Sequence, residues 1–493
     1  MKNYIKYYVY LFALFSVIIG AEMKTMYNNF ESSKINLLYS DIHSTSLSLE
    51  LSDFDLYEIE GHEGKFKINL EQGTPILEYG MPDLPKISTS IIIPDDRNMS
   101  ILVESAEYEE YQNIHIAPSK GNISRDVDPD SIPFSYSDVY KTDAFYPGNL
   151  AENGQTYIVR DLRGQRVVFY PIQYNPVQKV LRVYKNIEVK VFSTDVNNTN
   201  ALKRKNNSEH GIKLSNEFAN IYQNLFINYN TDTRFEYLAE QGNMLIISYD
   251  DFIDEMQPFV DWKNKKGIPT EIVSLNEIGN STSQIQNFIN QYYYEYGLTF
   301  LLLVGDINQM PTHIVNGAAS DPTYGFIEGG DSFAEVIVGR FSANNPSQFN
   351  TQIQRTLEYE QNPDENGDWY SSALGIGSNQ GPGYGGLSDD EFNDLLWNDL
   401  LSEFTYSQFQ GIYDPSGSTI DGINAVNQGV GLINYTGHAG PTGWGNGAPL
   451  NVNDVQNLEN TGKLPFIFTV GCNPGEFNNY GECFCESWMW ATD

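Results

Sequence analysis

An α/β protein is the fold the sequence predicts, with a mostly parallel sheet carrying helices on both faces and an all-β, sandwich-like region before it. Three observations predict it. From about residue 244 onward, short apolar runs alternate with segments of helical spacing, the rhythm of a parallel sheet whose crossovers are helices. Between residues 22 and 234 the runs are short, alternating and separated by turn residues, as in an antiparallel sandwich or barrel. A polar stretch, residues 228–235, lies where the rhythm changes, and the main boundary is placed there. At 493 residues the chain is long enough for two or three domains.

Lys2 and Lys6 precede an apolar run over residues 8–19, and small Gly20-Ala21 follow it. This reads as a signal peptide, residues 1–21, and implies a secreted or cell-surface protein. A short membrane anchor is the alternative, but the run is shorter than a membrane span and no other stretch is long enough. The β-rich region follows. Its runs include Phe66-Lys67-Ile68-Asn69-Leu70, Ile91-Ile92-Ile93, Arg166-Val167-Val168-Phe169-Tyr170, Val180-Leu181-Arg182-Val183-Tyr184 and Ile187-Glu188-Val189-Lys190-Val191. Residues 193–209 are polar, carry the basic run Lys203-Arg204-Lys205, and read as an exposed linker or loop.

In the second region residues 244–248 form a buried strand. Phe252, Met256, Phe259 and Val260 recur at helical spacing, and Gly267 ends that helix. Strands are expected at 271–275, 299–304, 335–338 and 373–377. Helices are expected around Ile285 to Tyr292, closed by Gly297, then over 346–359, 389–401, 451–458 and 483–490. Two apolar runs near the end stop at a glycine and then deliver a reactive side chain. One is Gly431-Leu432-Ile433-Asn434-Tyr435-Thr436-Gly437-His438, and the other is Leu464-Pro465-Phe466-Ile467-Phe468-Thr469-Val470-Gly471-Cys472. In a parallel sheet both would emerge at the carboxyl edge, where open α/β sheets place their sites.

The net charge of -35 argues against nucleic acid as a partner, since phosphate binding needs a basic surface. A solvated acidic surface is the plain reading of this charge. Calcium on acidic loops is the functional one, with Asp364-Glu365-Asn366-Gly367-Asp368 as a candidate whose spacing does not fit an EF-hand. The three cysteines, Cys472, Cys483 and Cys485, lie in one short stretch, so no disulfide framework is expected and at least one thiol is free.

A thiol nucleophile needs an imidazole close by. Of six histidines, His43, His62, His115 and His210 lie in the first half and His313 in a loop. Only His438 ends a strand in a glycine-rich turn. His438 and Cys472 are therefore a candidate dyad, with the backbone N–H groups of Cys472 and Ala439 as candidate oxyanion donors. Taken singly, either residue also reads as structural. A zinc site of His438, Cys472, Cys483 and Cys485 is a further alternative, although a C-x-x-C pair is missing.

These motifs resemble the gingipain-type cysteine peptidases, a family with a caspase-like fold. The resemblance lies in Asn434-Tyr435-Thr436-Gly437-His438 with Trp444-Gly445, and in Leu464-Pro465-Phe466-Ile467-Phe468 with Cys472. Upstream it includes Phe259-Val260-Asp261-Trp262-Lys263-Asn264, Leu303-Val304-Gly305-Asp306, Tyr324-Gly325, Val338-Gly339-Arg340-Phe341-Ser342, Thr351-Gln352-Ile353 and Glu358-Tyr359-Glu360. It covers residues 235–493 and implies that His438 and Cys472 are the dyad. Gly80-Met81-Pro82-Asp83-Leu84-Pro85, Tyr170-Pro171-Ile172 and Tyr174-Asn175-Pro176 resemble the family's prodomain. The resemblance implies a prodomain over residues 22–234 that assists folding and inhibits by blocking the cleft, and maturation after Arg234.

Two positions depart from the family pattern. Gln380 stands where the family's best-known members carry an acid that assists the histidine, and Ala439 stands where glycine usually follows it. Gln can orient an imidazole but stabilises its charge less; Ala is strained if φ is positive. Asp389 matches the acid of the arginine-specific S1 pocket, with Asp390 an equally near neighbour; the plain reading is a helix N-terminal acid with Ser388 as cap. The expected function is a secreted cysteine endopeptidase precursor acting on proteins or peptides, with a preference for basic P1 residues. No cofactor is needed for the chemistry, and calcium is at most structural. A catalytically weak binding or sorting module is the alternative. The peptidase domain is expected to continue past Asp493.

Overall fold

The computed structural model describes residues 33–203, 215–229 and 242–492, apart from 60, 71, 125–126, 197–199, 382 and 384–386. The signal peptide, Arg204, Lys205 and the cleavage site at Arg234 lie outside the described residues.

The amino-terminal region is a sandwich of antiparallel sheets. One sheet joins Lys34–Ser40, Ser44–Glu50, Val180–Val196 and Ile172–Asn175, with Arg97–Gln112 also paired to Val180–Val196. The other joins Thr74–Pro75 and Pro85–Ile92 to a hairpin, β1 (Ala151–Val159) and β2 (Leu162–Phe169). Inward residues of both sheets, among them Leu47, Val183 and Val189 from one and Ile91, Val167 and Phe169 from the other, share one core. The runs 180–184 and 187–191, read as separate in the sequence, are one strand, because Arg97–Gln112 pairs along almost its whole length. That strand extends to Val196, and Leu202 is buried with its N–H on the Asp95 carbonyl, 2.9 Å. The expected exposed linker is thus partly structured. Helix α1 (Asn216–Leu225) was not expected; its Phe218 and Tyr222 bury against Tyr157 and Val159 of β1.

The second region alternates strand and helix: β3 (Met244–Ser248), α2 (Ile253–Lys265), β4 (Thr270–Ser274), α3 (Thr282–Tyr296), β5 (Phe300–Val304), β6 (Ile337–Phe341), α4 (Pro346–Gln361), β7 (Ser372–Gly377), α5 (Asp389–Asp399), β8 (Gln408–Tyr413), α6 (Thr419–Gln428), β9 (Leu432–Thr436), α7 (Val452–Gln456), β10 (Phe466–Val470) and α8 (Phe484–Trp490), of which β8 and α6 were not expected. The strand expected at 335–338 starts at Ile337 instead, because buried Glu335 binds the backbone N–H groups of Ile327 (2.7 Å) and Glu328 (3.0 Å).

These strands form two four-stranded sheets, β4-β3-β5-β6 and β8-β7-β9-β10, and every pairing in them is parallel. In the first, Leu245, Ile247, Leu301 and Leu303 pack under α3. Alternate residues Ile246, Leu302 and Val304 pack under α2 and α4. This is the period-2 alternation of a sheet covered on both faces, and each fully buried Leu or Ile contributes about 1.5–3 kcal/mol. In the second sheet Leu374, Ile376, Ile433 and Tyr435 face α6, α7 and α8. Its other face carries α5, where Asn393 accepts a 2.8 Å hydrogen bond from Asn434. Helix α8 ties the two halves together: Ser342, just past β6, donates to Glu486 (2.6 Å), and Trp490 Nε1 donates to the Ser342 carbonyl (2.7 Å).

Candidate active site

Register brings the predicted residues together. Gly377 of β7 lies level with Thr436 of β9, and Thr436 lies level with Val470 of β10. The ladder runs on past the strands, since Ser378 N–H reaches the Thr436 carbonyl and Gly437 N–H the Val470 carbonyl, both at 3.1 Å. Three neighbouring strands therefore release Gln380, His438 and Cys472 at one edge of the sheet. Glycine is required at Gly471, where a Cβ would meet the Ala439 Cβ at 2.6 Å and the Gly437 carbonyl at 3.0 Å. The turns carrying the thiol and the imidazole are packed directly on each other.

His438 is half-buried and held from three sides. Its N–H donates to Asn446 Oδ1 (2.7 Å), and its carbonyl accepts from Gly445 N–H (2.8 Å) and from the Tyr435 hydroxyl. Asn446 is itself held by Asp414, whose carboxylate accepts from Asn446 Nδ2 (2.7 Å) and Gly447 N–H (2.8 Å). Tyr435 stacks on Trp444 with ring centroids 4.6 Å apart. On the ring, Nε2 donates to Gln380 Oε1 at 2.8 Å. That bond selects the tautomer with Nδ1 unprotonated, leaving Nδ1 as the basic nitrogen. Gln380 is positioned by its N–H on Ser378 Oγ (3.1 Å) and its carbonyl on Asp389 N–H (3.0 Å).

Among the three cysteines only Cys472 is exposed. Burial pushes the Cys485 thiol up to about 11 and the Cys483 thiol higher still, so neither is a ready thiolate. Cys483 sits at the start of α8, where its N–H donates to Glu486 Oε2 at 2.9 Å. Among the described residues no group of three His, Cys, Asp or Glu side chains is placed to hold a metal ion. The acidic loop at 364–368 is turned on itself, with Asp364 accepting the Asn366 N–H at 3.0 Å.

Ala439 is not among the residues with positive φ, so the strain conditionally expected there does not arise. It pairs with Trp444 in the small hairpin Ala439–Gly440 and Gly443–Trp444. Asp389 is buried, 2% exposed, and takes a hydrogen bond from the Ser378 hydroxyl under the Gln380 turn. Its neighbour Asp390 is half-buried and bonds to Ser388. Asp414 and Asn446 were not foreseen. They lie 32 residues apart, and no local pattern announces the pair.

An α/β scaffold that presents a thiol, an imidazole and an amide at the ends of adjacent parallel strands belongs to the class built for thiol-dependent acyl transfer. The sequence matches peptidase family C25 over residues 237–493 and the C25 propeptide over residues 27–233. It is 35% identical over 500 residues to gingipain R2 of Porphyromonas gingivalis, covering 100% of this chain and 67% of that protein. It is 36% identical to gingipain R1 of the same organism, over 93% of this chain and 46% of that protein. The crystal structure of the Arg-specific cysteine proteinase gingipain R superposes with a TM-score of 0.50 at 36% identity, covering 54% of this chain and 61% of that one. The chain belongs to peptidase family C25. No described helix is long and apolar enough to cross a membrane.

Proposed function

We propose that the chain is the precursor of a secreted cysteine endopeptidase that cuts peptide bonds after basic residues, using Cys472 and His438. The observation that carries the reading is the delivery of both side chains by β9 and β10, adjacent and in register, with Gly471 packed on Ala439. The Cys472 thiol gives its proton to His438 Nδ1 and the thiolate attacks the scissile carbonyl carbon. The N–H groups of Cys472 and Ala439 receive the oxyanion. The C–N bond breaks as His438 returns the proton to the leaving amine. Water, deprotonated by His438, then cleaves the thioester and frees Cys472. Buried Asp389 is the acid offered to a basic P1 side chain, a reading supported by gingipain R being described as Arg-specific. The apolar run at 8–19 supports export. The propeptide region supports a zymogen whose amino-terminal half inhibits until the chain is cut after Arg234.

The test is a panel of fluorogenic peptides differing only at P1, incubated with the processed chain. Peptides with Arg or Lys at P1 should be cut, and prior alkylation of the thiol should stop it. If no peptide is cut and Cys472 alkylates no faster than free cysteine, the binding-module reading replaces this one. Gln380 has a separate signature. Gln380→Ala frees the ring to rotate and should lower kcat by about 10–100-fold with little change in KM. Gln380→Glu keeps the bond, adds charge stabilisation for the imidazolium, and should match or exceed the parent kcat. Equal kcat in all three chains would remove Gln380 from the mechanism.

A further inference from the structure

The amino-terminal sandwich reaches the first parallel sheet through the tip of one hairpin, beside which Asn200 accepts the Gly330 N–H at 2.9 Å. Arg160 sits between β1 and β2 with φ 50, a left-handed conformation uncommon for a side-chain-bearing residue. Its side chain leaves the sandwich and enters the second region, where it is 2% exposed. There the guanidinium Nη1 donates to the carbonyls of Leu298 and Glu335, the latter at 3.1 Å. It lies between two rings, 4.6 Å from the centroid of Phe218 on α1 and 5.6 Å from that of Tyr293 on α3. Its own N–H donates to the Glu335 carboxylate at 3.3 Å. Around the tip, Tyr157 stacks on Phe333 at 4.0 Å, and Ile158 N–H donates to Asp331 at 2.9 Å.

Leu298 precedes β5 and Glu335 precedes β6, so this cage lies at the amino ends of the first sheet. The opposite ends of those strands face the loop that follows Cys472, where Asn478 accepts the Ala319 N–H at 3.0 Å and Phe477 covers Arg340 at 4.8 Å. The contact is remote from the dyad.

We propose that Arg160 is the anchor of a docking site for the prodomain, one that keeps the prodomain on the catalytic half after the connecting chain is cut, independently of anything placed in the active-site cleft. This rests on the zymogen reading above. A desolvated arginine between aromatic faces, with carbonyls as acceptors, is the chemistry of an interface hot spot. Removing it leaves two buried carbonyls without this donor and a hole between two rings. Leu298, Glu335 and Tyr293 of the catalytic half recognise a β-turn bearing arginine, with Phe218 of the prodomain backing the guanidinium, and lysine is a poor substitute because it is not planar.

The test uses the full chain with Cys472→Ala, a site-specific protease recognition sequence placed within residues 230–241, and an affinity tag at the carboxyl end. After cutting, the amino-terminal fragment should stay on the tagged half in the parent and in Arg166→Ala, an exposed position on β2. Arg160→Ala should raise the dissociation constant about 30-fold or more, and Arg160→Lys by at least about fivefold. Circular dichroism and thermal unfolding of the uncut chain show whether each variant folds. If Arg160→Ala does not fold, Arg160→Lys and Tyr293→Leu carry the test with the same fivefold expectation. Folded variants that hold the fragment as tightly as the parent overturn the proposal. Because Cys472→Ala is present throughout, retention is read without hydrolysis, and a failure of the peptidase reading shows separately in the peptide panel.

Discussion

Cys472→Ala is expected to abolish peptide hydrolysis, lowering kcat/KM by at least about 10³–10⁴-fold. Its cause is the loss of the attacking sulfur. No other thiol can take over, since Cys483 and Cys485 are held protonated by burial. His438→Ala should cost nearly as much, because in the proposed mechanism Nδ1 both accepts the thiol proton and donates it to the leaving amine. The double variant should be hardly worse than either single one, as residues acting as one unit are not additive. Cys472 is exposed, so Cys472→Ala should leave thermal stability within about 0.5 kcal/mol of the parent. Steady-state kinetics beside a melting curve checks both halves. Residual activity within tenfold of the parent in either single variant would remove the dyad.

The second large effect belongs to Asp389. Asp389→Asn should lower kcat/KM for peptides with Arg at P1 by about 10²–10³-fold, the usual cost of removing one partner of a buried charge pair. Peptides with an uncharged P1 should change little. The competing account is structural: Asp389 is the first residue of α5, where an acid is favoured by the helix dipole. That account predicts a stability loss of about 0.3–1 kcal/mol and an equal change for every substrate. The ratio of rates for Arg and uncharged P1 peptides therefore decides between them. An unchanged ratio sinks the S1 assignment, and a parallel Asp390→Asn variant shows whether the neighbour carries the charge instead. Asp389 is the buried member of the pair and Asp390 the half-buried one.

Much of this architecture is legible in residues alone, for reasons that can be named. Strands covered on both faces must be apolar throughout, so Leu301-Leu302-Leu303-Val304 and Leu245-Ile246-Ile247 stand out. Helices between them show their buried stripe and end at glycine, as Gly267 and Gly297 do with positive φ. Gln408–Tyr413 escaped notice because an edge strand has one paired neighbour and tolerates polar residues. Helix α1 escaped because polar residues crowd its one apolar face within a β-rich region. The division of the parallel strands into two sheets left no trace, since hydrophobic periodicity reports that a strand is buried and not which strand it pairs with.

Residue chemistry narrowed the candidate pair. With three cysteines close together and one histidine at a strand end, the candidates were few before any fold was known. Tertiary structure alone decided what surrounds them: that β9 and β10 are neighbours in register, that Gln380 meets His438 Nε2, that Asp414 reaches Asn446, and that Arg160 crosses from one half of the chain to the other. The physical reason is distance along the chain. A strand end is written in about six consecutive residues, whereas a hydrogen bond between residues 380 and 438 or between 160 and 335 exists only once the sheets have formed and brought them together.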